Sequence, residues 1–257
     1  MKLHHVLLFL VLSGTSLQAQ DYEPFLVPVF SPVPTPGGYG SQWATDFYIH
    51  NTGDTFAIAE NYGGGCSLEP CPPGDIPPKT TVRVRFMRGF FVDDAIPGVV
   101  LKVRRADADL LHFQLRVRDI ARSAFGWGTW MPVVRESTAP GGTVHLLSVP
   151  LEPGYRQLLR VYSFGNLGRI RVRIFGTAAD ADGGAAVPDP LLSEFSLDLI
   201  QNAVSDPGYA QFMAFDELPG GFSLIRLELI PEGDFKSWGM VSITNNATQE
   251  VTGIYPN

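Results

Sequence analysis

Cysteine is nearly missing from this chain: Cys66 and Cys71 are all the thiol chemistry in 257 residues. A thiolate metal site needs further ligands close by, and the stretch GGGCSLEPCPPGDIPPKTT (63–81) holds no histidine. A redox couple would be C-x-x-C beside a strand–helix–strand pattern, whereas four residues separate these sulfurs. Histidine is as sparse. Beyond His4 and His5 the chain has His50, His112 and His145, far apart. None forms H-E-x-x-H or H-x-H, so no local pair of imidazoles is set up for a metal. The G-x-S-x-G elbow of α/β-hydrolases is absent. The glycine clusters GGYG (37–40) and GGG (63–65) lack the strand-to-helix setting of a phosphate loop and read as turns. No cofactor is expected. Positive charge is also short, with Lys+Arg 19 against Asp+Glu 26 and a net charge of −7. Nucleic acid demands a positive footprint, so no nucleic-acid partner is expected.

The chain opens MKLHHVLLFLVLSGTSLQAQ: a positive start at Lys2, an apolar run from Val6 to Leu12, then small and polar residues. That layout is a secretory signal peptide over residues 1–19, with cleavage after Ala19. The run is far short of the roughly 20 residues that span a bilayer, and no later stretch approaches that length. The expected product is secreted or periplasmic and does not span the membrane. Losing Lys2 takes the net charge from −7 to −8. Export also decides the cysteines, because oxidising compartments favour disulfides. A Cys66–Cys71 bridge is expected, closing a small loop worth about 2 kcal/mol of unfolded-state entropy.

What the chain has in abundance is Gly 27, Pro 21 and 45% hydrophobic residues, enough for real cores punctuated by turns. Polar and apolar residues alternate almost throughout. TVRVRF (81–86) puts Val82, Val84 and Phe86 on one face and Arg83 and Arg85 on the other. FQLRVRD (113–119) and RIRVRIF (169–175) repeat the scheme. Period two between polar turns is the signature of half-buried antiparallel strands. The outward arginines read as a solvated sheet face, neutralised by loop acids such as Asp93, Asp94, Asp107 and Asp109. The fold class is therefore all-β, with many short strands in sandwiches.

Residues 110–134 and 237–256 each read as strand, turn and strand, the second around NNAT. Between them RESTAPGG (135–142) is polar and bears Pro and Gly, which suits a linker. Two domains are expected, 20–137 and 138–257. LLSEFSLDLI (191–200) reads as strand or helix, and DELPG (216–220) as the end of a short helical turn.

The pattern FYIHNTGDT, the paired closing hairpins and the leader resemble secreted bacterial proteins with tandem immunoglobulin-like or fibronectin-III-like sandwiches. The resemblance implies two tandem antiparallel β-sandwich domains and export, and the N-T-G-D turn is similar to that of adhesion-related surface domains. It implies no single activity. The antibody-type disulfide is missing, since cysteines five positions apart cannot bridge two sheets.

Two features stand above this background. DADGG (180–184) places Asp180, Asp182 and Asp189 at the third, fifth and twelfth positions of a calcium loop. Ala178 stands where the first ligand belongs, and a flexible turn is the default reading. The second feature is AFGWGTWMP, where Trp127 and Trp130, with Phe125, and with Tyr39 and Trp43 upstream, offer aromatic faces for stacking. Core packing is the competing role for these rings. The function expected is a non-catalytic exported interaction or structural module that meets a protein or glycan surface. A carbohydrate-binding module stacking sugars on Trp127 and Trp130 is the alternative, and a hydrolase with a dispersed active site is the third reading.

Overall fold

Alternating side chains let a strand bury one face while its backbone pairs with both neighbours, and most of the described strands use this device. The computed structural model describes residues 21–31, 34–61, 75–84, 98–122, 128–165, 167–177, 188–201 and 207–256. The leader, Cys66, Cys71, Asp93, Asp94, Phe125, Trp127, Asp180 and Asp182 lie outside the described residues.

The strands run in chain order as β1 (Tyr22–Val27), β2 (Thr35–Pro36), β3 (Gln42–Asn51), β4 (Ala57–Asn61) and β5 (Asp75–Ile76). Next come β6 (Thr81–Arg83), β7 (Val99–Arg104), β8 (Leu111–Asp119), β9 (Thr129–Met131) and β10 (Val134–Arg135). The later part holds β11 (Val144–Pro150), β12 (Tyr155–Ser163), β13 (Arg169–Thr177) and β14 (Leu191–Asp198). It ends with β15 (Gly208–Phe212), β16 (Leu224–Pro231), β17 (Ser237–Asn245) and β18 (Val251–Ile254). Among the described residues the helical elements are short 3-10 turns. The protein is all-β, and the strand pairings are antiparallel.

Four sheets result. The first is ordered β10-β1-β7-β4-β5, and the second β2-β3-β8-β9 with β6 also on β3. The third is β11-β16-β13-β14 and the fourth β15-β12-β17-β18. Partners thus change between Arg135 and Val144. One apolar cluster gathers Leu26, Leu101, Phe47, Ile49 and Leu115 from the first two sheets. The other gathers Ile170, Val172, Ile174, Leu227 and Leu229 with Leu159 and Val241 from the last two.

Local sequence explains much of this. In β8, Leu115 and Val117 are buried while Gln114 is exposed, as alternation requires. For LLSEFSLDLI, cross-strand pairing decides in favour of a strand: Leu197 opposes Ile170 and Phe195 opposes Val172. Both hairpins form, β8 with β9 and β17 with β18. The second turns at Asn245, whose Oδ1 accepts the backbone N–H groups of Ala247 and Thr248. The DEL stretch makes a 3-10 turn over Phe215–Glu217.

Simple alternation does not describe β17, whose residues Ser237 to Ile243 are all buried. Val241 and Ile243 enter the second cluster, while Trp238 and Met240 join the first together with Tyr162 of β12. The fourth sheet is therefore packed on both faces and welds the two sheet pairs. The buried Tyr162 hydroxyl donates to the carbonyl of Pro28 across the seam. Its ring lies 6.1 Å from that of Trp238, which stacks 6.1 Å from Tyr255. The polar stretch after β10 is fastened as well. Ser137 N donates to Glu23 Oε1 at 3.2 Å, and Lys236 Nζ donates to Glu136 O at 2.8 Å.

Candidate functional site

The second sheet turns one face to its core and the other to solvent. Alternation sends Asp46, Tyr48 and His50 of β3 outward, with His112, Gln114, Arg116 and Arg118 of β8, Arg83 of β6 and Trp130 of β9. Register then sets the neighbours: Asp46 opposes Arg116, His50 opposes His112, and Arg116 opposes Trp130.

Asp46 is the centre of this face. Its side chain is 3% exposed and meets three guanidinium groups. Arg83 Nη2 donates to Oδ1 at 2.5 Å, Arg116 Nη2 donates to Oδ2 at 2.6 Å, and Arg118 Nε lies 3.0 Å from Oδ2. Burial opposes ionisation, yet the Arg116 hydrogen bond and the charges of Arg118, Arg116 and Arg83 hold the carboxyl below its ordinary range. Asp46 therefore stays an anion. Trp130 stands beside it, 49% exposed, with the Arg116 guanidinium 5.5 Å from its ring centroid. Arg83 lies 6.0 Å over Tyr48 in the same way.

A cleft of about 490 Å³ adjoins this face at the seam. Trp43, Arg118, Asp119 and Arg122 line one side, and Gln249 and Glu250 of the β17–β18 turn the other. Asp119 Oδ1 accepts the N–H groups of Gln42 and Ala121, which fixes that carboxylate at the end of β8. Tyr39, exposed at the rim, is covered by Arg156 at 4.5 Å. Arg156 in turn donates to Asn246 Oδ1 and Gln249 Oε1, each at 2.8 Å. The seam is thus closed by polar clamps as well as by apolar packing.

The third sheet also carries outward arginines, but each has carboxylates opposite. Arg169 pairs with Asp198, Arg171 with Glu232, and Arg173 with both Glu194 and Glu228. Arg226 meets Glu228 and Asp189. Asp189, counted above as a calcium ligand, is thereby placed 2.6 Å from a guanidinium. Trp130 stands on the open face of the second sheet, and Trp43 is half-buried against the first cluster. Asp107 and Asp109 do serve arginines, but those of β7 and β10: Asp107 pairs with Arg104, and Asp109 with Arg135.

The residue that sequence reasoning passed over is Asp46. Its position in WATDFYIH shares parity with Tyr48 and His50, which marks it as an acid inside the arginine face rather than in a loop. Among the described residues no group of three or more His, Cys, Asp or Glu is gathered to hold a metal ion. No helix among them is long and apolar enough to cross a membrane. No family model, no curated protein and no solved structure matches the chain.

Proposed function

We propose that the protein is an exported, non-catalytic binding module of two tandem immunoglobulin-like β-sandwiches, residues 20–137 and 138–257, behind a cleaved leader. Its working surface is the outer face of the second sheet, and its partner is a glycan surface. The observation that carries this reading is Trp130. Exposing half of an indole on a hydrogen-bonded strand forgoes on the order of 1 kcal/mol of burial, and a rigid aromatic ring is a ready stacking surface for a sugar. The weld through Tyr162, Trp238 and Met240 supports the same reading, because it holds the strand that carries Trp130 on a stiff base. Tyr255 adds to it by donating its hydroxyl to the Trp130 carbonyl at 3.2 Å.

The test is a glycan array probed with the wild type and with Trp130→Ala. Binding by the wild type that the variant loses, at unchanged circular dichroism, is the expected result. Silence across neutral and acidic glycans alike refutes it. Cys66–Cys71 is proposed as a loop staple formed on export, and thiol titration of the exported protein should find no free sulfhydryl.

A further inference from the structure

We infer that the outer face of the second sheet takes a uronate-bearing glycan, with sugar carboxylates on Arg83 and Arg118 and a sugar ring on Trp130. The inference rests on the glycan reading above and adds the charge class of the ligand.

The first ground is charge accounting. Among the described outward residues of β3, β6, β8 and β9 there are three arginines and one carboxylate, Asp46. That carboxylate is buried and neutralises one charge of three, so among the described residues the face counts two more positive charges than negative ones. The protein as a whole carries −7. The third sheet supplies an internal control, because its four outward arginines face five acids and leave no positive surplus. Two sheets of one protein thus treat the same arginine-bearing strand pattern in opposite ways. The adjoining cleft sets Arg122 against Asp119 and Glu250, one net negative charge, so the surplus belongs to the outer face and falls by one toward the cleft.

The second ground is donor geometry. A guanidinium presents five N–H donors in a planar fork matched to a carboxylate. Arg83 meets Asp46 through Nη2, and Arg118 meets it through Nε. The other nitrogens of these two forks have no carboxylate partner among the described residues. Their side chains are 41% and 30% exposed. Asp46 also shows that the guanidinium groups converge on a target the size of one carboxylate. A second carboxylate arriving from solvent would find donors held in place from beneath.

The third ground is the neighbour. Trp130 opposes Arg116 across the hairpin, so the exposed ring and the cationic forks lie on adjacent positions of one pleated surface. A phosphate or a lone small acid would use the forks and leave the indole idle. A neutral sugar would use the indole and leave the surplus charge unmatched. A uronate polymer uses both.

The experiment titrates the protein, by calorimetry at low salt, with polygalacturonate and with its methyl ester, the same backbone without charge. The expected result is binding of the acid form about tenfold tighter than the ester. Arg83→Gln and Arg118→Gln should each weaken it by about as much, and added salt should weaken it further. Either variant leaves Asp46 with two arginines, so folding is retained and is checked by circular dichroism. Equal affinity for acid and ester overturns the inference but spares the glycan reading, as does binding unchanged in both arginine variants. Binding of dextran sulfate without binding of polygalacturonate overturns the carboxylate assignment. No binding of either galacturonan also overturns it, while the glycan reading falls only if the array is silent too.

Discussion

Glu23 opens β1 as a carboxylate buried to 1% exposure, and replacing it by Gln tests how the start of the chain is fastened. Arg135 Nη2 donates to Oε2 at 2.7 Å, Arg105 Nη1 lies 3.3 Å from the same atom, and Ser137 N donates to Oε1. The Arg135 hydrogen bond outweighs burial and, with those from Ser137, lowers the carboxyl from 4.5 to about 2. A depressed pKa stabilises the fold above the unfolded value and loses that contribution as pH falls through the folded value. The full depression corresponds to about 3 kcal/mol at neutral pH, trimmed to roughly 2–3 because Arg135, the main cause, is itself 27% exposed. At pH 3, between the two values, about 1 kcal/mol of it survives. Glu23→Gln keeps the shape and removes the charge. Urea titrations at pH 7 and pH 3 should therefore show the variant less stable by about 2–3 kcal/mol at the first pH and about 1 at the second. A loss that is the same at both pH values, or below about 0.5 kcal/mol at pH 7, would refute the assignment of Glu23 as an ionised anchor.

Trp238→Ala empties a site in the seam, and its cost of about 3–5 kcal/mol should reach both sheet pairs. Hydrogen exchange is expected to rise in β1 and β7 as well as in β12, and a rise confined to β12 and β17 would show the seam to be passive. Gly128 sits at φ +72 with space for no side chain, since a Cβ there would stand 2.2 Å from the Val117 carbonyl oxygen. Gly128→Ala should cost about 1–3 kcal/mol and change the fluorescence of Trp130, one residue beyond the next; an unaltered spectrum and stability would contradict the backbone placement. On the third sheet, Arg173→Gln should destabilise by about 0.5–1 kcal/mol. Without ligand Arg118→Gln should cost less than that, because the lost attraction to Asp46 is offset by relief of repulsion from Arg83 and Arg116; denaturant midpoints that rank the pair the other way would argue against a surplus of charge on the second sheet.

Much of the architecture was legible in the order of residues. Alternation located β6, β8 and β13 and the inward sets Leu115–Val117 and Ile170–Val172–Ile174, because a strand's side chains obey a local rule. The hairpins were legible for the same reason, since their partners are neighbours in sequence. Three things were not. The double burial of β17 escaped because SWGMVSIT is apolar on both faces, and nothing local says what covers the second one. Residues such as Tyr162 and Pro28 meet only after two sheets have formed, and pairing at that separation leaves no period to read. The partners of the outward arginines were sought in loops. On the third sheet most proved to be Glu194, Asp198 and Glu228, themselves outward residues of neighbouring strands, which only register reveals.

Register also gives the arginines their meaning. An outward arginine on a strand has two inexpensive states: paired with an acid on the next strand, or isolated in water. The third sheet takes the first course for most of its arginines, and acids just beyond the strand ends, Asp189 and Glu232, serve the rest. The second sheet has one acid for three arginines: Asp46 lies opposite Arg116 and is shared with Arg83 and Arg118. Three like charges drawn together repel one another, and Asp46 offsets that repulsion only in part while itself losing hydration. A surface acid across from Arg118 would have been the simpler neutralisation, yet the residue opposite is Ala44. Three guanidinium groups sharing one anion beside an exposed indole are what the proposed binding face would require: charge that its own sheet matches only in part is left for a partner, whereas the third sheet matches its arginines internally.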